Sequence, residues 1–113
     1  MLELKTICMS DYRAVLEHPE TGDREVLYDG ERIEHVPYGD SSQDDFSWGY
    51  TGAGPNNVAQ SILEHAIAET DESFDVNASS VRSEFAGEFT IPVGKSEEWT
   101  LSMEEVKEFL RNH

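Results

Sequence analysis

Cysteine is nearly missing from this chain. Cys8 stands alone among 113 residues, which excludes a disulfide framework and a cysteine-based zinc site. Between Ile7 and Met9 it reads as a small apolar residue. Long apolar runs are missing too. No stretch approaches the length of a membrane-crossing helix, and Met1–Ser10 is too short, and at Glu3 too acidic, for a signal peptide. The expectation is a cytoplasmic protein with no membrane partner. Lysine occurs only at Lys5, Lys95 and Lys107, and lysine and arginine together number eight. Every phosphate contact wants such a residue, so direct nucleic-acid binding is disfavoured.

Acid is what the chain has in quantity. Twenty-four Asp and Glu residues give a net charge of −16, and they run along the whole length rather than gathering in a tail. At low ionic strength such a chain repels itself. In about molar salt the Debye length falls to ~3 Å, the repulsion is screened and the carboxylates keep the surface hydrated. The acidity reads as adaptation to a high-salt cytoplasm, as in halophilic archaea. The competing reading is a mimic of the nucleic-acid backbone. A mimic needs its carboxylates in one stripe, whereas a salt-adapted surface carries them everywhere.

The length suits one domain over residues 1–113, with residues 1–10 a loosely held segment or a first strand. Tyr12–Glu17 and Arg24–Tyr28 read as strands joined by the turn chemistry of His18–Asp23. Asp29-Gly30 is a two-residue hairpin signal, and Glu31–Val36 reads as the third strand of a meander. Val26, Tyr28, Ile33 and His35 would share one face. Pro37–Asp45 is a polar connection that delivers the chain to its central stretch, Phe46–Ile67.

In that stretch Phe46, Trp48 and Tyr50 alternate with Ser47 and Gly49, which puts three rings on one side of an extended segment. Gly49, Gly52 and Gly54 then make a tight turn, and Pro55 fits the first position of a helix running to about Glu69. Val58, Ala59, Ile62, Leu63, Ala66 and Ile67 form its core face, and Asn57, Gln60, Ser61, Glu64 and Glu69 the opposite one. A second helix follows, with Asn77, Ser79 and Ser80 as candidate caps and Val81, Phe85 and Phe89 as its stripe, ending near Gly87. Glu97–Leu101 reads as a strand. Ser102 and Glu105 then make a capping box for a last helix that buries Met103, Val106, Phe109 and Leu110. The expected fold is α+β, an antiparallel sheet of three to four strands with three helices packed on one face.

The run Trp48-Gly49-Tyr50-x-Gly52-x-Gly54-Pro55, entering an Ala- and Leu-rich helix, resembles the signature of a small family of unknown function. That family is scattered through bacterial, archaeal, plasmid and phage genomes. Val81-x-x-Glu84-Phe85 and the Trp99 strand before the last helix are similar to the rest of it, so the likeness covers roughly Tyr12 to the end. The resemblance implies a fold unit and a mobile-element distribution, and it transfers no catalytic residue. The acid load is where this chain departs from the pattern.

Chemistry has few footholds. A glycine turn at a helix N-terminus invites a phosphate, but the Walker lysine is missing, no ribose-binding acid follows a buried strand, and Pro55 removes a donor. His65 and Glu69 share a helix face at ligand spacing, yet two ligands make no zinc site and only His35 could add a third. No Gly-x-Ser-x-Gly elbow supports Ser47 or Ser61 as a nucleophile with His35 or His65. The residues point to a non-catalytic interaction or regulatory module with no cofactor and no metal, which binds an unidentified protein. Tyr38, Phe46, Trp48, Tyr50, Gly52, Gly54 and Asn56 are its candidate contact residues, with Tyr38 expected at the surface and Trp48 in the core. Two other readings stand beside it: a small-ligand or nucleotide-binding domain using the glycine turn, and the acidic nucleic-acid mimic.

Overall fold

The computed structural model describes residues 11–38 and 45–113; Cys8 and the proposed N-terminal segment lie outside them. Four antiparallel strands and three helices make an α+β fold. In chain order they are β1 (Asp11–Val15), β2 (Glu25–Tyr28), β3 (Glu31–Arg32), α1 (Ala53–Glu69), α2 (Ala78–Phe85), β4 (Trp99–Ser102) and α3 (Met103–Arg111). The sheet order is β3-β2-β1-β4. Asp29 and Gly30 both take positive φ, 54° and 85°, as the tight turn between β2 and β3 demands. The register sets Tyr12 opposite Tyr28 and Leu101, and Ala14 opposite Val26 and Trp99. These residues share the inner face, because side chains alternate along a strand. Arg13 and Thr100 are exposed on the outer one.

α1 lies at the centre of the molecule. Its apolar stripe of Val58, Ala59, Ile62, Leu63 and Ala66 is fully buried, with Tyr12, Val26, Trp48, Phe85 and Leu110 in the same core. The expected polar face is a correction. Asn57, Gln60 and Ser61 are buried as well, between 1 and 3 % exposed. Asn57 and Ser61 are polar because neighbouring backbone needs partners, and unpaired buried backbone is costly. Ser61 Oγ accepts the Val36 N–H at 2.8 Å and donates to the Val36 carbonyl at 3.2 Å. Asn57 Oδ1 accepts the Tyr38 N–H at 3.1 Å, while its Nδ2 donates to the Asp45 carbonyl at 3.1 Å. Gln60 faces α2, and its Nε2 donates to Glu64 at 2.8 Å.

Element boundaries also shift, the first strand ending at Val15 instead of Glu17. The third strand ends at Arg32 instead of Val36: Ile33 still donates to the Val26 carbonyl, and then the chain leaves the sheet for the Ser61 hydroxyl. α1 begins at Ala53, two residues before Pro55, because a proline is tolerated throughout the first turn, where no N–H has an intrahelical partner. The second helix does not stop at Gly87. It widens into a π-helical turn over Ala86–Thr90, closed by Ile91 N–H donating to the Ala86 carbonyl. The last strand starts at Trp99 rather than Glu97.

Both predicted caps are present. Asn77 accepts the Ser80 N–H at the start of α2, and Ser102 and Glu105 form the reciprocal box at the start of α3. Met103, Val106, Phe109 and Leu110 are buried as expected. Arg111, in the last turn of α3, donates to both oxygens of Glu72 and to Glu104, which ties the helix end to the segment between α1 and α2. These bonds push the Glu72 carboxyl down from its ordinary range.

Candidate functional site

The aromatic segment and the glycine turn meet the first turn of α1. Gly49 takes φ +87°, and a side chain there would meet the Lys95 backbone at 2.6 Å. Its N–H donates to the Thr90 carbonyl at 3.0 Å, and the Thr90 hydroxyl donates to the Pro55 carbonyl at 2.9 Å. The turn is therefore bolted to the π-helical segment. Ser47 Oγ lies 2.7 Å from the Tyr50 hydroxyl. Those two groups crowd Gly54: a Cβ there would overlap Ser47 Oγ and stand 2.8 Å from the Tyr50 oxygen. The Tyr50 ring likewise covers Gly52. The glycines are a contact surface for the protein's own side chains.

The three rings do not act together, against the expectation that they share a side. Trp48 is fully buried, packs edge-on to Trp99 with centroids 5.5 Å apart, and donates from Nε1 to the Glu97 carbonyl at 2.8 Å. Phe46 is also buried and stacks on His35 at 3.8 Å. Tyr50 is 39 % exposed, the exposed large hydrophobic residue among those described. Gly49 explains the split, since its positive φ turns the chain between Trp48 and Tyr50 and breaks the alternation. Tyr38, expected at the surface, is only half-buried, held by its N–H on Asn57 and by the Arg82 guanidinium 4.8 Å over its ring.

Asn56 joins the two ends of this surface. Its Nδ2 donates to the Gly52 carbonyl at 2.8 Å, and its Oδ1 accepts from Arg82 Nε at 3.0 Å. On the far side, Lys95 Nζ stands 5.5 Å from the Tyr50 ring centroid. Tyr38, Asn56, Gly52, Gly54 and Tyr50 are thus brought together at the start of α1, while Trp48 is buried in the core and Phe46 packs apart from them on His35. Arg82 and Lys95 escaped the sequence reading; their scarcity in so acidic a chain was the available signal.

The histidines are engaged elsewhere. His65 Nδ1 lies 2.7 Å from the Tyr12 hydroxyl, with the Tyr28 ring 4.8 Å away. Burial lowers the His65 pKa, and the Glu69 charge opposes that only in part. Burial, with Tyr28 and Glu69 adding to it, raises the Tyr12 phenol. His35 Nε2 sits 2.7 Å from the buried Glu25 carboxylate. His35 also lines a cavity of about 480 Å³ with Asp23, Arg24, Asp45 and Phe46. Ser47 bonds Tyr50 and Ser61 bonds Val36, so neither hydroxyl is paired with a histidine. Among the described residues no group of three His, Cys, Asp or Glu is placed to hold a metal ion. No described helix is long and apolar enough to cross a membrane.

Comparison with curated proteins and with solved structures finds no match. A family of unknown function does match, over residues 14–112, which takes in the end of β1, the other three strands, the glycine turn and every helix. The chain belongs to that family, DUF6166.

Proposed function

We propose that this chain is a single-domain, non-catalytic interaction or regulatory module that binds another protein through the surface around Tyr38, Tyr50 and the glycine turn. The observation that carries the reading is Tyr50, an exposed ring fixed on a rigid base. Its hydroxyl is held by Ser47, its ring lies on Gly52, and Trp48 anchors the segment below. An aromatic residue whose conformation is already fixed gives up little entropy on binding and suits an interface centre. The ligand reading draws less support, because Ser47 and Tyr50 occupy the space in front of Gly54 that a phosphate would use. The enzyme reading lacks a serine paired with a histidine.

The acidity belongs to the setting rather than the site. We assign the protein to the cytoplasm of a salt-adapted cell, a halophilic archaeon or its mobile elements, on the strength of the −16 charge. A photo-cross-linking residue at position 50, introduced into the chain in a halophilic archaeal host, tests the interface. Discrete adducts from position 50, and none from exposed Thr100 on the outer sheet face, are the expected result. Equal labelling from both positions, or none from position 50, would overturn the reading.

A further inference from the structure

We infer that the surface on either side of the start of α1 seats an acidic segment of a partner protein, with Arg82 taking one carboxylate and Lys95 another; this rests on the interface proposed above. Acids outnumber bases 24 to eight, yet of the described Arg and Lys residues only Arg32 and Arg111 pair with a carboxylate. Arg111 is held by Glu72 and Glu104, and Arg32 lies 3.6 Å from Glu20. Arg24 rests on the Trp48 ring at 4.9 Å, and Arg82 and Lys95 flank the start of α1. Neither has a carboxylate partner among the described residues, and each rests on a ring, Tyr38 at 4.8 Å and Tyr50 at 5.5 Å.

A ring beneath a guanidinium holds its face and leaves its edge open, and that edge is the part that binds a carboxylate in bidentate fashion. Arg82 commits Nε to Asn56, which fixes the plane, and its remaining N–H groups meet no acceptor among the described residues. The two cations belong to one surface, since contacts run without a break from Lys95 through Tyr50, Gly52 and Asn56 to Arg82 and Tyr38. The first turn of α1 between them carries no acid. Two cations are too few to track a nucleic-acid backbone, whereas two carboxylates a few residues apart on a peptide match them. Repulsion between this acidic chain and an acidic partner is long-range, so about molar salt removes it, and of the two contacts the one at half-buried Arg82 is screened less than the one at exposed Lys95.

The test is an amide chemical-shift titration of the full chain in about 1 M KCl. The probes are a Glu/Gly peptide of about ten residues, the same peptide with Gln for Glu, and inorganic phosphate. Saturable shifts at Tyr38, Tyr50, Asn56, Arg82 and Lys95 with the Glu peptide alone are expected. Arg82→Gln and Lys95→Gln should each weaken that binding about tenfold. Lys95 is exposed, so its variant reports even where Arg82→Gln disturbs the fold. Equal shifts with the Gln peptide would overturn the inference and leave the Tyr50 interface standing. Silence with both peptides would overturn it too, with cross-linking at position 50 deciding the interface separately. Phosphate reproducing the shifts would make this a simple anion site and refute the acidic segment. So would a shift at Arg82 produced by Asp40→Asn with Asp44→Asn and no peptide, because the chain's own acids would then hold the seat.

Discussion

Gly54→Ala decides whether the glycine motif is architecture. In a helix, alanine gains up to about 1 kcal/mol over glycine, so at an open helical position the change stabilises. Gly54 is not open. The new methyl would overlap Ser47 Oγ and stand 2.8 Å from the Tyr50 oxygen and 2.9 Å from Ser47 Cβ. Overpacking of this kind costs about 1–3 kcal/mol. Turning Ser47 aside also breaks its 2.7 Å bond to Tyr50, worth about 1 kcal/mol more. The clash outweighs the propensity, and a net loss of about 1–3 kcal/mol is expected. Gly87→Ala is the control, since nothing lies within 4 Å of its added Cβ; it should gain about 0.5–1 kcal/mol. Urea unfolding in about 1 M KCl reads both. With a urea slope of about 1–3 kcal/mol/M, Gly54→Ala should lower the midpoint by about 1 M while Gly87→Ala raises it slightly. Ser47→Ala removes the closest clash, so Gly54→Ala should cost less in that background by about 1 kcal/mol. Gly54→Ala behaving like Gly87→Ala would refute the crowding argument and reopen the turn as a ligand site.

Asn57→Ala removes a buried amide that holds both Tyr38 and Asp45, and should cost about 2–4 kcal/mol in the same urea assay, with loss of the Arg82–Tyr38 contact seen as shifted Tyr38 resonances; a loss under 1 kcal/mol would show that the connection is held by other means. Ser102→Ala dismantles the capping box of α3 and should cost about 1 kcal/mol without moving the resonances around Tyr50. His65 has a pKa below its ordinary value of 6.5, so the unfolded chain binds the extra proton first. Its contribution is complete above pH 6.5 and is lost as pH falls from there through the lowered folded value; His65→Gln should flatten the stability slope across that window, and an unchanged slope would contradict the burial of the imidazole.

Much of the fold was legible because its signals are local. The Asp29-Gly30 turn, the Asn77 cap, the Ser102–Glu105 box and the apolar stripes of α1 and α3 each depend on residues within a few positions of one another. The burial of Asn57, Gln60 and Ser61 was not legible. Periodicity assigns a polar residue to solvent, and here the partners are Val36, Tyr38, Asp45 and Glu64, three of them on a connection that the helix itself holds in place. The π-helical turn was hidden for the same reason. Gly87 looks like a stop, but the Thr90 hydroxyl, bonded to the Pro55 carbonyl 35 residues away, gives the widened turn a reason to continue.

The site follows the same division. Pro55 and the glycines announced a tight helix entry, and the entry is there, but what fills it is set by Ser47 and Tyr50 folding back across Gly54 and Gly52. That backfolding uses up the turn and leaves the outer side of Tyr50 for contact. It also explains why the aromatic spacing misleads. Alternation holds only while φ stays extended, and the single positive φ at Gly49 sends Trp48 into the core and Tyr50 out of it. A substitution that restored alternation there would have to place a side chain against the Lys95 backbone, so the conformation that exposes Tyr50 and the contact that brings Lys95 to its ring depend on the same missing Cβ.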